Sequence, residues 1–338
     1  MHWIEHLYVY GLYPFIRFLG DGISKLIPFP LLLLAVSTIV LVVLYHLLRR
    51  IFLGVRLSIG KSIKIILVTA FTLVICFYLL WGLVYSRSSF TELSGIALKE
   101  SSLLDLKESF TAQSKLLDQM RYSIRSTYCF NLNRDFFDAG NMEKSRQDLF
   151  LAFDRVKIKP VGKPTIKAFV PQGFLLHLGT AGFYFPFGFE GYVDKGLHPI
   201  QLPFTIAHEL SHAAGIPGEG ECNFLAWLAC SQSDNAFDRY SAAIVYWKYL
   251  AGQIRVDDQE YVTHVIENLS EDVRNDLFDI RKYSDRYPDW FPQMRDAIYE
   301  WYLKINGIPE GEKSYSSLIG YINRWNELQE IKLSQPAQ

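Results

Sequence analysis

The segment Pro203–Asn223, PFTIAHELSHAAGIPGEGECN, gathers two histidines and three glutamates at spacings suited to metal binding. Within it, His208-Glu209-Leu210-Ser211-His212 has the form H-E-x-x-H. On a helix, residues four apart lie one above the other, so the two imidazoles can converge on one cation. Zinc takes imidazole nitrogens at about 2.1 Å, and in catalytic sites it keeps three protein ligands and a position for water. Glu209 lies beside the pair, where its carboxylate can take a proton from water attacking a carbonyl. The competing reading is an ordinary amphipathic helix with surface histidines.

The elements around the motif must position it. Pro203 to Thr205 read as a loop with Thr205 as N-cap; Ala207, Ala213 and Ala214 favour helix, and Gly215 stops it. The Gly215-Ile216-Pro217-Gly218 turn brings the chain back towards His212. A second helix, running to about Ser231, then offers Glu219 or Glu221 from its first turn as the third ligand. Glu219 shares a face with Asn223, Ala226 and Trp227, whereas Glu221 lies with Phe224, Leu225 and Leu228. Asn223 can orient a ligand through its amide. Arg239 and Tyr240, beyond the second helix, are candidate donors to an oxyanion. The metal region is therefore 208–223.

Four cysteines make no disulfide framework. Cys76 falls in an apolar run, and Cys222 and Cys230 are separated by about 12 Å of helical rise, too far to pair within one helix. Cys129 could pair with either in an oxidising compartment. Cys222 reads as facing the core rather than the metal.

The chain is 50% hydrophobic with net charge -1, an average over two unlike parts that gives no reason to expect nucleic acid as a partner. Residues 1–29 carry Trp3, Tyr8, Tyr10, Tyr13, Phe15 and Phe18 among scattered charges, and suit either a membrane surface or packing against a first span. No cleaved signal peptide is evident. The runs 30–48 and 63–84 are long and apolar enough to be transmembrane helices. Arg49, Arg50, Arg56, Lys61 and Lys64 between them, with no acid, place that loop in the cytoplasm and both chain ends outside. Residues 1–86 thus form a membrane anchor and 87–338 an extracytoplasmic domain, periplasmic in a bacterium.

Within the domain, 96–126 and 131–158 read as amphipathic helical scaffold. Residues 166–202 are rich in Phe, Tyr, Val and Gly and suit short strands. The run Gly182–Asp194 is either an edge strand able to pair with an extended peptide or aromatic core. The run 242–250 reads as a core helix, 257–283 as one charged amphipathic helix, and 287–303 and 316–331 as further helices around a 307–311 turn. The fold class is α+β, mainly helical.

His208-Glu209-Leu210-Ser211-His212 followed by Glu219-Gly220-Glu221-Cys222-Asn223 resembles the gluzincin zinc metallopeptidases in which H-E-x-x-H precedes E-x-x-A-D. Asn223 stands at the aspartate position and Cys222 at the alanine, which by that pattern favours Glu219 as third ligand. The gap between His212 and Glu219 is shorter than in many gluzincins. A metzincin is a poorer match, because Gly218 occupies its third-histidine position. Over nearly the whole chain, the two spans, Leu80–Arg87, Tyr184–Phe187, Pro203–Glu209 and Asn223–Ala226 resemble a two-span bacterial family of unknown function found largely in the Bacteroidetes group. That likeness implies a zincin-like extracytoplasmic domain. The resulting expectation is a zinc peptidase of the bacterial cytoplasmic membrane, with ligands His208, His212 and Glu219, Glu209 as general base, and a peptide or protein substrate. A catalytically silent zinc-binding scaffold or sensor, and a wall-peptide amidase, are the alternatives.

Overall fold

The computed structural model describes residues 2–53, 58–297 and 314–334. The chain enters as a continuous helical stretch, with a wider π-helical segment Glu5–Leu12 leading into α1, Tyr13–Leu26. This stretch is docked on the domain: Tyr8, Val9 and Tyr13 are buried in a cluster with Trp81, Val84 and Val161. Helices α2 (Leu31–Leu53) and α3 (Ile59–Leu80) are each long and apolar enough to cross a membrane, and their most apolar windows have no residue buried inside the protein. Arg56 of the basic connection lies outside the described residues.

The second apolar helix ends at Leu80 rather than at Val84. Residues Gly82–Ser86 tighten into a 3-10 turn, with Gly82 and Val84 buried. The Tyr78 ring lies against Gly82, where an added Cβ would sit 2.5 Å from the ring edge. Residues on both sides of position 86 therefore share one core.

Past this junction the scaffold is helical. Helix α4, Leu103–Ser123, starts with a reciprocal cap in which the Ser102 hydroxyl accepts from Asp105 N–H and the Asp105 carboxylate accepts from Ser102 N–H. Asp138 caps α5, Ala139–Arg155, in the usual acidic manner. A three-stranded sheet follows, of β1 (Ile166–Phe169), β2 (Gly182–Phe185) and β3 (Glu190–Asp194) in the order β1-β3-β2. Strand β1 runs parallel to β3 with Ile166 opposite Gly191; β2 runs antiparallel with Gly182 opposite Val193. Strand β2 is thus a sheet edge.

Among the described residues the domain continues with helices α6 (Leu202–Ala213), α7 (Glu219–Ser231), α8 (Ala236–Arg255), α9 (Gln259–Glu267), α10 (Glu271–Asp285) and α11 (Ser314–Ser334). Helix α7 is the centre. Cys222, Phe224, Leu225, Ala226 and Leu228 are fully buried on several of its faces, as for a helix enclosed by neighbours. Those neighbours are α5, α6, α8 and α11. Helix α8 carries the 242–250 run inward, with Ala242, Ile244, Trp247 and Leu250 buried.

Residues 257–283 form two helices, not one. The chain breaks at Asn268–Ser270, where Ser270 Oγ accepts from Val273 N–H and starts α10. Asp276 then ties α10 to the scaffold by accepting from Arg121 Nε at 2.7 Å, from the Tyr240 hydroxyl at 2.7 Å and from the Tyr128 hydroxyl. Of the helix expected over 287–303, residues 287–291 are not helical and 292–297 are; residues 298–303, and the 307–311 turn, lie outside the described residues.

Candidate metal centre

Helix α6 begins four residues earlier than a Thr205 cap would place it. Pro203 sits in its first turn, where a missing N–H costs nothing and the fixed φ suits a helix. The preceding 3-10 turn, Pro199–Gln201, is held by His198 Nδ1 accepting from Ile200 N–H at 3.3 Å, and Thr205 Oγ1 donates to the Gln201 carbonyl. His208 and His212 consequently fall in the second half of α6.

The helix ends where glycine permits it. Gly215 has φ +94°, its N–H reaches the His212 carbonyl, and Ile216 N–H reaches back to the Ser211 carbonyl. This turn aims the Ile216 carbonyl at His212 Nδ1, 2.9 Å away. A carbonyl only accepts, so the proton is held on Nδ1 and the Nε2 lone pair is left for another partner. Cys222 Sγ lies 3.4 Å from the same Nδ1 and also donates to the Ile216 carbonyl at 3.4 Å. The cysteine faces the core, and its contact with His212 has no counterpart in the sequence reading.

Glu219 opens α7 and closes the triad. Its Oε2 is 3.2 Å from His208 Nε2 and 3.5 Å from His212 Nε2, and the three potential ligand atoms lie within 4.8 Å of one another. Two imidazole nitrogens and one carboxylate oxygen form a donor set that suits zinc. Burial pushes Glu219 upward, but the two histidines outweigh it and hold the carboxyl well below its ordinary range. Burial likewise lowers His212, while Cys222 and Glu219 together raise it well above. Glu221 turns away: its carboxylate folds back over Gly218, where a Cβ would collide with it, and accepts from the Tyr321 hydroxyl at 3.4 Å. Of the two acids the spacing left open, only Glu219 joins the histidines.

Glu209 is 4% exposed, and its Oε2 is buried without a hydrogen-bond partner. Burial raises this carboxyl to about 7 against the opposing pull of His208 and His212. An unpartnered acceptor next to a metal-type triad fits a site that takes water. Two glycines of the sheet make room for it. A Cβ at Gly182 would lie 2.9 Å from Glu209 Oε1 and 2.5 Å from the Tyr192 carbonyl oxygen, and one at Gly191 would lie 3.4 Å from Glu209 Cβ. Sequence reasoning missed both, although paired glycines in a short aromatic strand pair signal a close approach.

Other expectations are corrected. Arg239 Nη1 donates to the Ser233 and Asp234 carbonyls at 2.6 and 2.9 Å, and the Tyr240 hydroxyl donates to Asp276, so these two bind the scaffold and not an oxyanion. The Asn223 side chain is buried, but none of the described hydrogen bonds joins it to His208, His212 or Glu219. All four cysteines are free; Cys129 is exposed while Cys222 and Cys230 are buried, so Cys129 pairs with neither. The Gly182–Asp194 run is both things at once: Phe183 and Phe185 pack around Tyr192 and Phe169, and β2 is still the sheet edge beside Glu209.

No curated protein and no solved structure matches the chain. A family profile does, over residues 8–322, so its match runs from the N-terminal helix through the metal centre into α11. The chain therefore belongs to the family described as Protein of unknown function (DUF3810).

Proposed function

We propose that this protein is a membrane-anchored zinc-dependent peptidase. The observation that carries the reading is Glu209: a buried carboxylate, unpartnered at Oε2, set in sequence between two histidines that share Glu219 Oε2. A site built only for structure has no use for such a group, since leaving a buried acceptor unsatisfied costs about 1–3 kcal/mol.

His208, His212 and Glu219 would hold the ion. Bound zinc would supply Lewis acidity towards a carbonyl and lower the pKa of water. His212 presents Nε2 because the Ile216 carbonyl holds the proton on Nδ1. Glu209 takes the proton from the attacking water at its free oxygen and delivers it to the leaving amine. The edge of β2, beside Glu209, supports an extended polypeptide as substrate, because an unpaired strand edge offers backbone hydrogen bonds without demanding one sequence.

The basic residues Arg49 and Arg50 near the end of α2 and Lys61 and Lys64 near the start of α3 support a cytoplasmic connection with the metal domain on the opposite side. In a bacterium this is the periplasmic side of the cytoplasmic membrane. The test is the full-length chain purified in detergent, with metal content measured and hydrolysis of a denatured protein substrate followed by mass spectrometry. Stoichiometric zinc and cleavage abolished by chelation are expected. Cleavage that persists after zinc has been stripped overturns the reading, as does a metal-loaded chain that cleaves no peptide bond.

A further inference from the structure

Helix α1 is inside out. Its domain-facing side is polar: Arg17, Asp21 and Ser24 are 0, 5 and 0% exposed, while Phe15, Phe18 and Ile23 are 60, 73 and 54% exposed. A helix whose outer side met water would do the reverse, since burying one such apolar side chain is worth about 1.5–3 kcal/mol.

The buried side is tied to the domain by its charged residues. Arg17 pairs with Asp21 at 2.6 Å and donates to the Tyr184 hydroxyl, and Asp21 accepts from Lys163 N–H at 2.6 Å. Upstream, Trp3, Leu7 and Leu12 continue the exposed apolar face.

The same face runs directly into α2, and the sheet fixes the corner between them. Lys167 Nζ donates to the carbonyl of Ser24, in the last turn of α1, and to those of Ile27 and Phe29 just past it. Glu190 accepts from Leu31 N–H at 2.6 Å and from Ser24 Oγ at 2.7 Å, and Tyr192 Oη accepts from Leu32 N–H at 2.9 Å. The attitude of α1 relative to α2 is thus set by domain residues.

We propose that the N-terminal helical stretch lies in the bilayer interface, with its outer apolar face in lipid and its inner face, which carries the buried charges of α1, holding the domain. The occupant is lipid because the face is continuous with α2, a helix apolar on all sides, and because an apolar outer surface with a charged inner one matches lipid outside and protein inside. This rests on α2 and α3 being spans, and not on hydrolysis. One consequence concerns the metal centre. Strand β2 starts at Gly182 beside Glu209, and Gly188, just past its other end, abuts Leu31 at the start of α2. The three steps between the four strand residues, at about 3.3 Å each, cover roughly 10 Å, so the triad lies close to the membrane surface.

The experiment uses the full chain in vesicles of phosphatidylcholine and phosphatidylglycerol, with Cys76→Ser and Cys129→Ser to remove the accessible native thiols. A spin label is placed singly at Phe18→Cys, Ile23→Cys, Val40→Cys in α2, or Glu108→Cys on the exposed side of α4. The readout is collision with oxygen, which concentrates in lipid, against collision with a water-soluble nickel chelate. Oxygen-dominated relaxation at Phe18 and Ile23, with a ratio several-fold above that at Glu108, is expected. Nickel-dominated relaxation at Phe18 and Ile23 with an oxygen-dominated Val40 overturns the proposal while leaving the spans standing. Exclusion of both reagents at Phe18 and Ile23 overturns it in favour of a protein partner, including a second copy. An aqueous Val40 removes the spans and the proposal together.

Discussion

Glu209 is the residue on which the proposed chemistry turns. Glu209→Gln keeps the side-chain volume and removes the base, so zinc content should stay at the parental level while turnover falls by about 10²–10⁴. Elemental analysis and a peptide-cleavage assay on one preparation check both halves. Glu219→Ala should lose the metal and Glu221→Ala should keep it, because only Glu219 reaches the histidine Nε2 atoms. Equal zinc loss in both would contradict the triad. Gly182→Ala has its own signature. Its methyl would press on Glu209 and on the Tyr192 carbonyl, at an overpacking cost of about 1–3 kcal/mol, so turnover should drop with zinc retained. The histidines, Glu209 and the pair of candidate acids were legible from spacing alone, because i and i+4 on a helix is a local relation. The glycines were not, because nothing local says which strand passes over Glu209.

At the scale of elements, the 3-10 turn that launches α6 depends on an uncharged His198. Burial is the main cause that lowers its pKa from 6.5 to about 4, against a small opposing pull from Asp279 and with Arg286 adding to the lowering; the ring also packs edge-on to Tyr283. The unfolded ring takes a proton below 6.5, and the folded ring declines it until about 4. This contribution to stability is therefore complete above pH 6.5 and is lost as pH falls from there towards 4, reaching roughly 2 kcal/mol by pH 5 at ~1.4 kcal/mol per pKa unit. Urea unfolding at pH 7 and pH 5 should show that loss in the parent and a smaller one in His198→Asn, which keeps an acceptor for Ile200 N–H. The corner between α1 and α2 gives a second test. Glu190→Ala would leave the mostly buried Lys167 ammonium without its countercharge and the Leu31 N–H without its acceptor, and breaking a buried pair in this way costs about 3–5 kcal/mol. A lower thermal midpoint and new proteolytic cutting at residues 27–30 are the expected result.

The whole molecule does not divide where its composition changes. Tyr8, Val9 and Tyr13 from one side of the apolar helices pack with Trp81, Val84 and Val161 from the other, and Trp81 stands 4.7 Å from the Tyr184 ring of β2. A fragment of residues 87–338 would expose the faces that cover Tyr184, Val161 and Glu190. It should aggregate or unfold at lower urea than the full chain in detergent, a difference that size-exclusion chromatography and denaturation would detect; an equally stable monomeric fragment would argue against a shared core.

Local and compositional relations are legible in the chain alone. These are the helical stacking of His208 on His212, the Gly215 stop, the two acids at the start of α7, and the two long apolar helices. Each follows from periodicity, turn chemistry or length, which need no partner. Tertiary structure decided what depends on residues far apart. It turned Glu219 towards the histidines and Glu221 towards Tyr321, committed Arg239 and Tyr240 to the scaffold, and laid Gly182 and Gly191 over Glu209. It also inverted α1, because a helix carries one polar and one apolar side in either medium, and only the packing of Arg17 and Asp21 against Tyr184 and Lys163 shows which side faces inward.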